Sequence, residues 1–350
     1  MRVFFSSFTQ LTAQSLITQI HLFYELNKII EYFHHPNLSP ASGRGALISL
    51  MDIASLHAFV TIADSDSFSL AADRLHLTQP AVSKRVATLE EELSVRLFDR
   101  LGRTVRLTEA GAVLLPRARQ ILAEVDDSRR ALRNLSGVVA GSLTVATSHH
   151  IGLHRLPPVL RTFTARYPQV RLDMRFMDSE IACAVVLRGE VELAIVTLPP
   201  QVDPPLEISP LWPDSLVVVA SRAHPLAKLA TIVPQQLQEH AAILPSEATF
   251  TRRIVEDEFK RLGVEIPVAF ATNYLETIKM MVAVGLGWSV LPRTMLDGEL
   301  VDLPIAGLRL ERTLGVVRHT GHTLSNAAGA LLAILQDRST LPAQSPYTNS

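Results

Sequence analysis

The sequence predicts a multidomain chain: an N-terminal winged helix-turn-helix, a long linker helix, and a C-terminal two-lobed α/β domain. Three observations carry this reading. The stretch from Ser67 to Arg106 reads as two short helices, a tight turn and a basic hairpin. An apolar repeat with alternating steps of four and three residues follows. Beyond Gly141 the pattern alternates strand and helix, twice over. A chain of 350 residues has room for two or three such domains.

Residues 1–50 stand apart. Leu16, Ile20, Phe23, Leu26, Ile30 and Phe33 form an amphipathic helical stripe, ended by Pro36 and the linker PNLSPASGRG. There is no basic n-region, and Glu25, Lys28 and Glu31 interrupt the apolar part, so a secretory signal is not expected here. The preferred reading is that translation begins at Met51 and that residues 1–50 result from a start assigned too far upstream; the other is an extra dimerisation or partner helix. The mass of the natively expressed protein separates them.

Leu56, Phe59, Val60 and Ala63 predict a first helix. Ser67 is an N-cap for a short helix of small residues, Leu70 to Leu75, whose alanines let another helix cross closely. Thr78 caps the next helix, with Pro80 in its first turn, where the missing N–H costs nothing. Val82, Val86, Leu89 and Leu93 mark its inward face. The other face offers Thr78, Gln79, Pro80, Ser83, Lys84, Arg85 and Thr88. Gln pairs with adenine, and Lys or Arg with guanine or phosphate. Arg100, Arg103 and Arg106 follow around Gly102 in a wing-like hairpin suited to the phosphate backbone. The formal net charge is only -1, yet six arginines face two acids between Arg96 and Arg119.

A helix opens at Thr108 and runs to about Leu135. Leu114, Ala118, Ile121, Val125, Ser128, Leu132 and Leu135 form a coiled-coil-like seam, which calls for a partner helix. GVVAG is a short hinge. Strands are predicted over 142–147, 170–176, 192–196, 215–221, 241–244, 268–272 and 311–319. Helices are predicted over 157–167, 181–187, 251–262, 274–284 and 324–335. Alternation of this kind argues for a parallel sheet. The tail LPAQSPYTNS carries no pattern.

The run AADRLHLTQPAVSKRVATLEEELSVRLFDR, followed by RTVRLTEAG, resembles the N-terminal signature of LysR-type transcriptional regulators. The resemblance is dense there and looser onward to the region of Leu335. It implies a DNA-binding domain over 51–108, a linker helix over 109–140, and a periplasmic-binding-protein-like effector domain over 141–338. Lobe I would comprise 141–213 and 312–338, lobe II 214–311, with a tail at 339–350. It also implies a homodimer or homotetramer on double-stranded DNA in the cytoplasm, with RNA polymerase as a possible contact and a small-molecule effector between the lobes.

Ligands in open α/β sheets bind beyond strand ends. That rule, with the family's pocket position, selects Ser148, His149, His150, Thr197, Ser246 and Thr249. Helix capping is the competing role for each. Read as extended chain, the adjacent histidines would point apart, and no carboxylate lies close in sequence, so neither metal nor cofactor is expected. The competing function is a transport protein of periplasmic-binding type. No GxSxG, HExxH, P-loop or CxxC motif suggests an enzyme. The single cysteine, Cys183, reads as an inert core thiol, and no apolar run reaches membrane-spanning length.

Overall fold

The computed structural model describes residues 52–101 and 104–337, with the side chains of Arg100, Leu101 and Thr104 outside that description. The stripe over 16–33, Met51, Gly102, Arg103 and the tail lie outside the described residues.

Asp52 caps α1 (Ile53–Ser65), accepting from the Ser55 N–H at 2.7 Å. Ser67 caps α2 (Phe68–Arg74). The chain turns through His76 in the left-handed region, φ 54°, and Thr78 caps α3 (Gln79–Leu93). Phe59, Ile62, Ala71, Val82, Val86 and Leu89 form one buried core. The wing is a two-stranded antiparallel ribbon, β1 (Phe98–Leu101) and β2 (Thr104–Leu107). Glu90 ties it to α3: its Oε1 accepts from the N–H groups of Leu97 at 2.6 Å and Phe98 at 3.3 Å.

Thr108 caps α4 (Glu109–Asn134) and donates its hydroxyl to the Arg96 carbonyl at 2.6 Å. The expected partner-seeking seam is divided. Leu114, Ala118 and Ile121 pack into the helix-turn-helix core. Leu132 and Leu135 remain 69% and 83% exposed. The first half of the helix therefore serves its own domain, because a helix crossing α1 must present an apolar stripe there too. The last turn is anchored to the effector domain: Asn134 Nδ2 donates to the Leu324 carbonyl at 2.8 Å, and Arg130 Nε to Thr323 at 3.1 Å.

The remaining elements are β3 (Gly141–Thr147), α5 (His149–His154), α6 (Leu156–Arg166), β4 (Val170–Phe176), α7 (Ser179–Leu187), β5 (Leu193–Thr197), β6 (Leu206–Ser221), β7 (Ala242–Leu244), α8 (Phe250–Arg261), β8 (Val268–Ala271), α9 (Leu275–Ala283), β9 (Trp288–Pro292), β10 (Leu300–Asp302), β11 (Leu310–His319) and α10 (Asn326–Gln336). They build a nine-stranded sheet in the order β4-β3-β5-β11-β6-β9-β7-β8, with β10 beside β6.

The expected parallel sheet is corrected to a mixed one. Pairs β3–β4, β3–β5, β7–β8 and β7–β9 are parallel; β11 pairs antiparallel with β5 and β6, and β6 antiparallel with β9 and β10. The reason is that β6 and β11 each run through both lobes, in opposite directions. The runs LEISPLW and SLVVVAS are one 16-residue strand, despite Pro210 and Pro213. A register shift at Leu314/Gly315 lies where Gly315 faces Pro210, the kind of irregularity that accommodates a ladder proline.

Apolar side chains gather on both faces of the sheet in each lobe. Leu143, Phe163, Leu193 and Leu331 belong to one cluster of lobe I, Ala182, Val186 and Val196 to another. Val218, Phe259 and Trp288 serve lobe II, with Val219, Ile278 and Leu291 on its other face. No helix among the described residues is long and apolar enough to cross a membrane.

Candidate nucleic-acid interface and interlobe cavity

The start of α3 is an open polar edge. Thr78, Gln79, Pro80 and Lys84 are exposed; Ser83, Arg85 and Thr88 are half-buried. Thr78 is also a cap, its Oγ1 accepting from the Ala81 N–H at 3.4 Å. Arg85 lies near Asp52, whose carboxyl is held below its ordinary range chiefly by the Ser55 N–H, with Arg85 a smaller contributor. Lys84 is exposed and enters no ion pair among the described residues. Arg106 is exposed on β2, across from Asp99. The Arg100 side chain and Arg103 lie outside the described residues.

The second site lies between the lobes. Ser148, His149, His150, Thr197 and Thr249 line one cavity of about 50 Å³. Ser246 does not line it; its N–H donates to Asn273 Oδ1 at 2.9 Å, and its carbonyl accepts from the Thr249 hydroxyl. Thr249 also caps α8, accepting from the Arg252 N–H at 3.2 Å. Ser148 stands at the N-cap of α5 without a side-chain cap bond.

The cavity also gathers Asp178, Ser179, Glu180, Thr251 and Arg312, together with Asn273, which follows the end of β8. Helix α7 begins two residues before Ile181, which brings Ser179 and Glu180 to the cavity. A polar triplet before an apolar run, here Asp178 to Glu180, is the cap signal that could have found them. Arg312 is a charge inside an apolar strand, and only pairing makes such a position tolerable.

Several bonds close the lobes on each other. Asn273 Nδ2 donates to Asp178 Oδ2 at 2.6 Å, and the Phe250 N–H donates to the Glu180 carboxylate. Burial pushes the Glu180 carboxyl above its ordinary range. Arg312 Nη1 donates to Thr251 Oγ1 at 2.8 Å, while its Nε donates to Asp214 Oδ2 at 2.8 Å. The cleft volume as it stands admits a few waters.

One expectation about the histidines is overturned. Residues 149–154 are helical rather than extended, so His150 and His154 are one turn apart on one face. Glu276, distant in sequence, brings its carboxylate to both: Oε1 lies 2.9 Å from His154 Nε2 and 3.9 Å from His150 Nδ1. His150 is buried, and burial pushes its imidazole down to about 4, so it is neutral near pH 7.

Cys183 is buried in α7, and burial pushes its thiol up to about 12. A thiol that ionises so poorly is a poor nucleophile. Cys183→Ala is expected to cost no more than about 1 kcal/mol. Hydrogen peroxide is expected to leave DNA affinity unchanged in both proteins. A peroxide response that disappears in the variant, measured by titration of DNA, contradicts this.

Comparison with known proteins matches both halves. Residues 53–112 fit the family described as the bacterial regulatory helix-turn-helix protein, lysR family, and residues 136–340 fit the LysR substrate binding domain. An uncharacterised helix-turn-helix transcriptional regulator of Azotobacter vinelandii is 70% identical over 108 residues, 31% of this chain and 75% of that one. A "Probable RuBisCO transcriptional regulator" of a Nostoc species is 33% identical over 279 residues, 77% of this chain and 83% of its own. The fold superposes on a full-length OxyR variant from Pseudomonas aeruginosa with a TM-score of 0.63 and 27% identity, covering 83% of this chain and 97% of that one. The chain belongs to the LysR family: it is a DNA-binding transcriptional regulator with a helix-turn-helix domain and an effector-binding domain.

Proposed function

We propose that this regulator reads double-stranded DNA with the exposed edge of α3, Gln79 and Lys84 foremost, and sets its promoter binding by closing two lobes around a small polar effector. The observation that carries this is the interlobe cavity. Hydroxyls from Ser148 and Thr251, carboxylates from Asp178 and Glu180, and the Arg312 guanidinium meet there from both lobes. A ligand offering both donors and acceptors would exchange the cross-lobe bonds for its own. It shifts the open–closed balance only by its difference in affinity for the two states. The anchoring of the last turn of α4 to the effector domain gives that balance a physical route toward α3.

Exposed Leu132 and Leu135 favour a homodimer through the end of α4, and two-fold pairing suits a palindromic operator. Assembly to a tetramer and contact with RNA polymerase belong to the same reading, as does action on cytoplasmic DNA.

The test is binding of the purified protein to labelled DNA from upstream of its own gene, against unrelated DNA, over a salt series. Lys84→Ala is expected to weaken specific binding by about 10- to 100-fold. Its circular dichroism and unfolding midpoint should stay those of the parent, because the side chain is exposed. Parental affinity in this variant, with or without a loss of stability, removes this face of α3 from the interface.

A further inference from the structure

We propose that His150, His154 and Glu276 form a divalent-cation site of the zinc class that fastens lobe I to lobe II at the rim of the interlobe cavity. The two imidazoles come from α5 in lobe I, one helical turn apart, with ring centroids 4.7 Å from each other. Histidines at this spacing present their nitrogens to one point. The carboxylate comes from the first turn of α9 in lobe II.

The donor atoms of all three residues lie within 4.8 Å of one another. Two zinc–ligand bonds of about 2.1 Å at a tetrahedral angle hold their donor atoms about 3.4 Å apart, so the widest pair must close by up to about 1.4 Å, which side-chain rotation shared between two residues supplies.

A second observation points to a ligand independently. The His150 side chain is only 5% exposed, and neither of its ring nitrogens has a hydrogen-bond partner. Buried polar atoms are rarely left so. A cation between His150, His154 and Glu276 would occupy the orphaned Nδ1. The Arg312 guanidinium near His150 is already engaged by Asp214 and Thr251, and the Glu276 carboxylate supplies the negative charge that a cation needs.

His154 and Glu276 are each 41% exposed, which leaves an entry path and a position for water. Two imidazoles, one carboxylate and an open position suit zinc, cobalt(II) or nickel(II) rather than magnesium or calcium, which prefer oxygen donors. A cation held from both lobes favours the closed arrangement, and so would act beside any effector in the cavity.

The test uses tag-free, full-length protein stripped with a chelator. Zinc is titrated in competition with a chromophoric chelator, and cobalt(II) reports geometry through its visible absorption. The wild type is expected to bind zinc with a micromolar or tighter Kd, to give a tetrahedral cobalt band, and to melt at higher temperature with zinc. His154→Ala and Glu276→Gln are expected to weaken this site at least tenfold and to lose both the band and the thermal shift. Both positions are partly exposed, so these variants keep their fold where truncation of buried His150 risks it.

Equal zinc affinity and cobalt spectra in wild type and His154→Ala would overturn the proposal, placing the metal on other histidines. So would no binding by the wild type at about 100 µM zinc. Binding is read on the metal itself, so a failed DNA assay leaves the result standing.

Discussion

Asp214→Ala is expected to destabilise the protein by about 3–5 kcal/mol, the range seen when one member of a buried charge pair is removed. Asp214 sits where β6 passes from one lobe to the other, with a side chain only 1% exposed. Its Oδ2 accepts from Arg312 Nε at 2.8 Å and its Oδ1 from Arg155 Nη2 at 3.0 Å. Arg312 is its direct partner across the β6–β11 register.

Truncation leaves two guanidinium groups facing each other without their shared counter-ion, one of them 5% exposed. The double variant Asp214→Ala, Arg312→Met should recover part of the loss, because it removes the stranded charge together with its partner. Urea unfolding of the four proteins measures this. A single-variant loss below about 1 kcal/mol would show that water reaches the pair. Arg312 also holds Thr251 at the cavity, so the same variant is expected to lose its effector response.

Gly111→Ala is the second large effect, about 3 kcal/mol, at the upper end of ordinary overpacking. A Cβ at Gly111 would lie 2.2 Å from the Leu97 carbonyl oxygen, a backbone atom that cannot swing away. The start of α4 would have to move off the base of the wing, which Thr108 holds through its N–H bond to the same Leu97 carbonyl at 3.0 Å. Stability and DNA affinity should therefore fall together, unlike Lys84→Ala, which lowers affinity alone. Gly298→Ala is the control: nothing lies within 4 Å of its added Cβ, and it should change stability by less than about 0.5 kcal/mol. If Gly111→Ala unfolds at the parental denaturant concentration, the close approach of α4 to Leu97 is wrong.

The DNA-binding half was legible because its signals are local. Caps at Ser67, Thr78 and Thr108, Pro80 in the first turn of α3, and the spacing of Val82, Val86 and Leu89 each act within one or two helical turns. Those local rules place an element without knowledge of its neighbours. The helix α5 escaped the same reading. It is six residues long, and its N-cap Ser148 makes no side-chain cap bond, so it carries little local signal.

Strand positions were legible from apolar runs, and the strand-end rule brought five of six expected residues to one cavity. Ser246 fell outside because the chain turns at the Thr249 cap, and its polar groups are consumed there.

What the sequence by itself determined is therefore the helix-turn-helix, the long α4, the succession of strands and helices, and the family. All of these follow from short-range periodicity, capping and a dense local motif. What only the tertiary structure decided is the pairing of distant residues. Strand direction in the mixed sheet, the Asp214–Arg312 pair, the closure of Asp178 on Asn273, and the meeting of His150 and His154 with Glu276 all depend on such pairing, and these side-chain contacts join residues 95 to 126 positions apart. The physical reason is the same in each case. A buried charge is tolerable only where folding supplies a partner, and the partner's place is set by packing that no local pattern records.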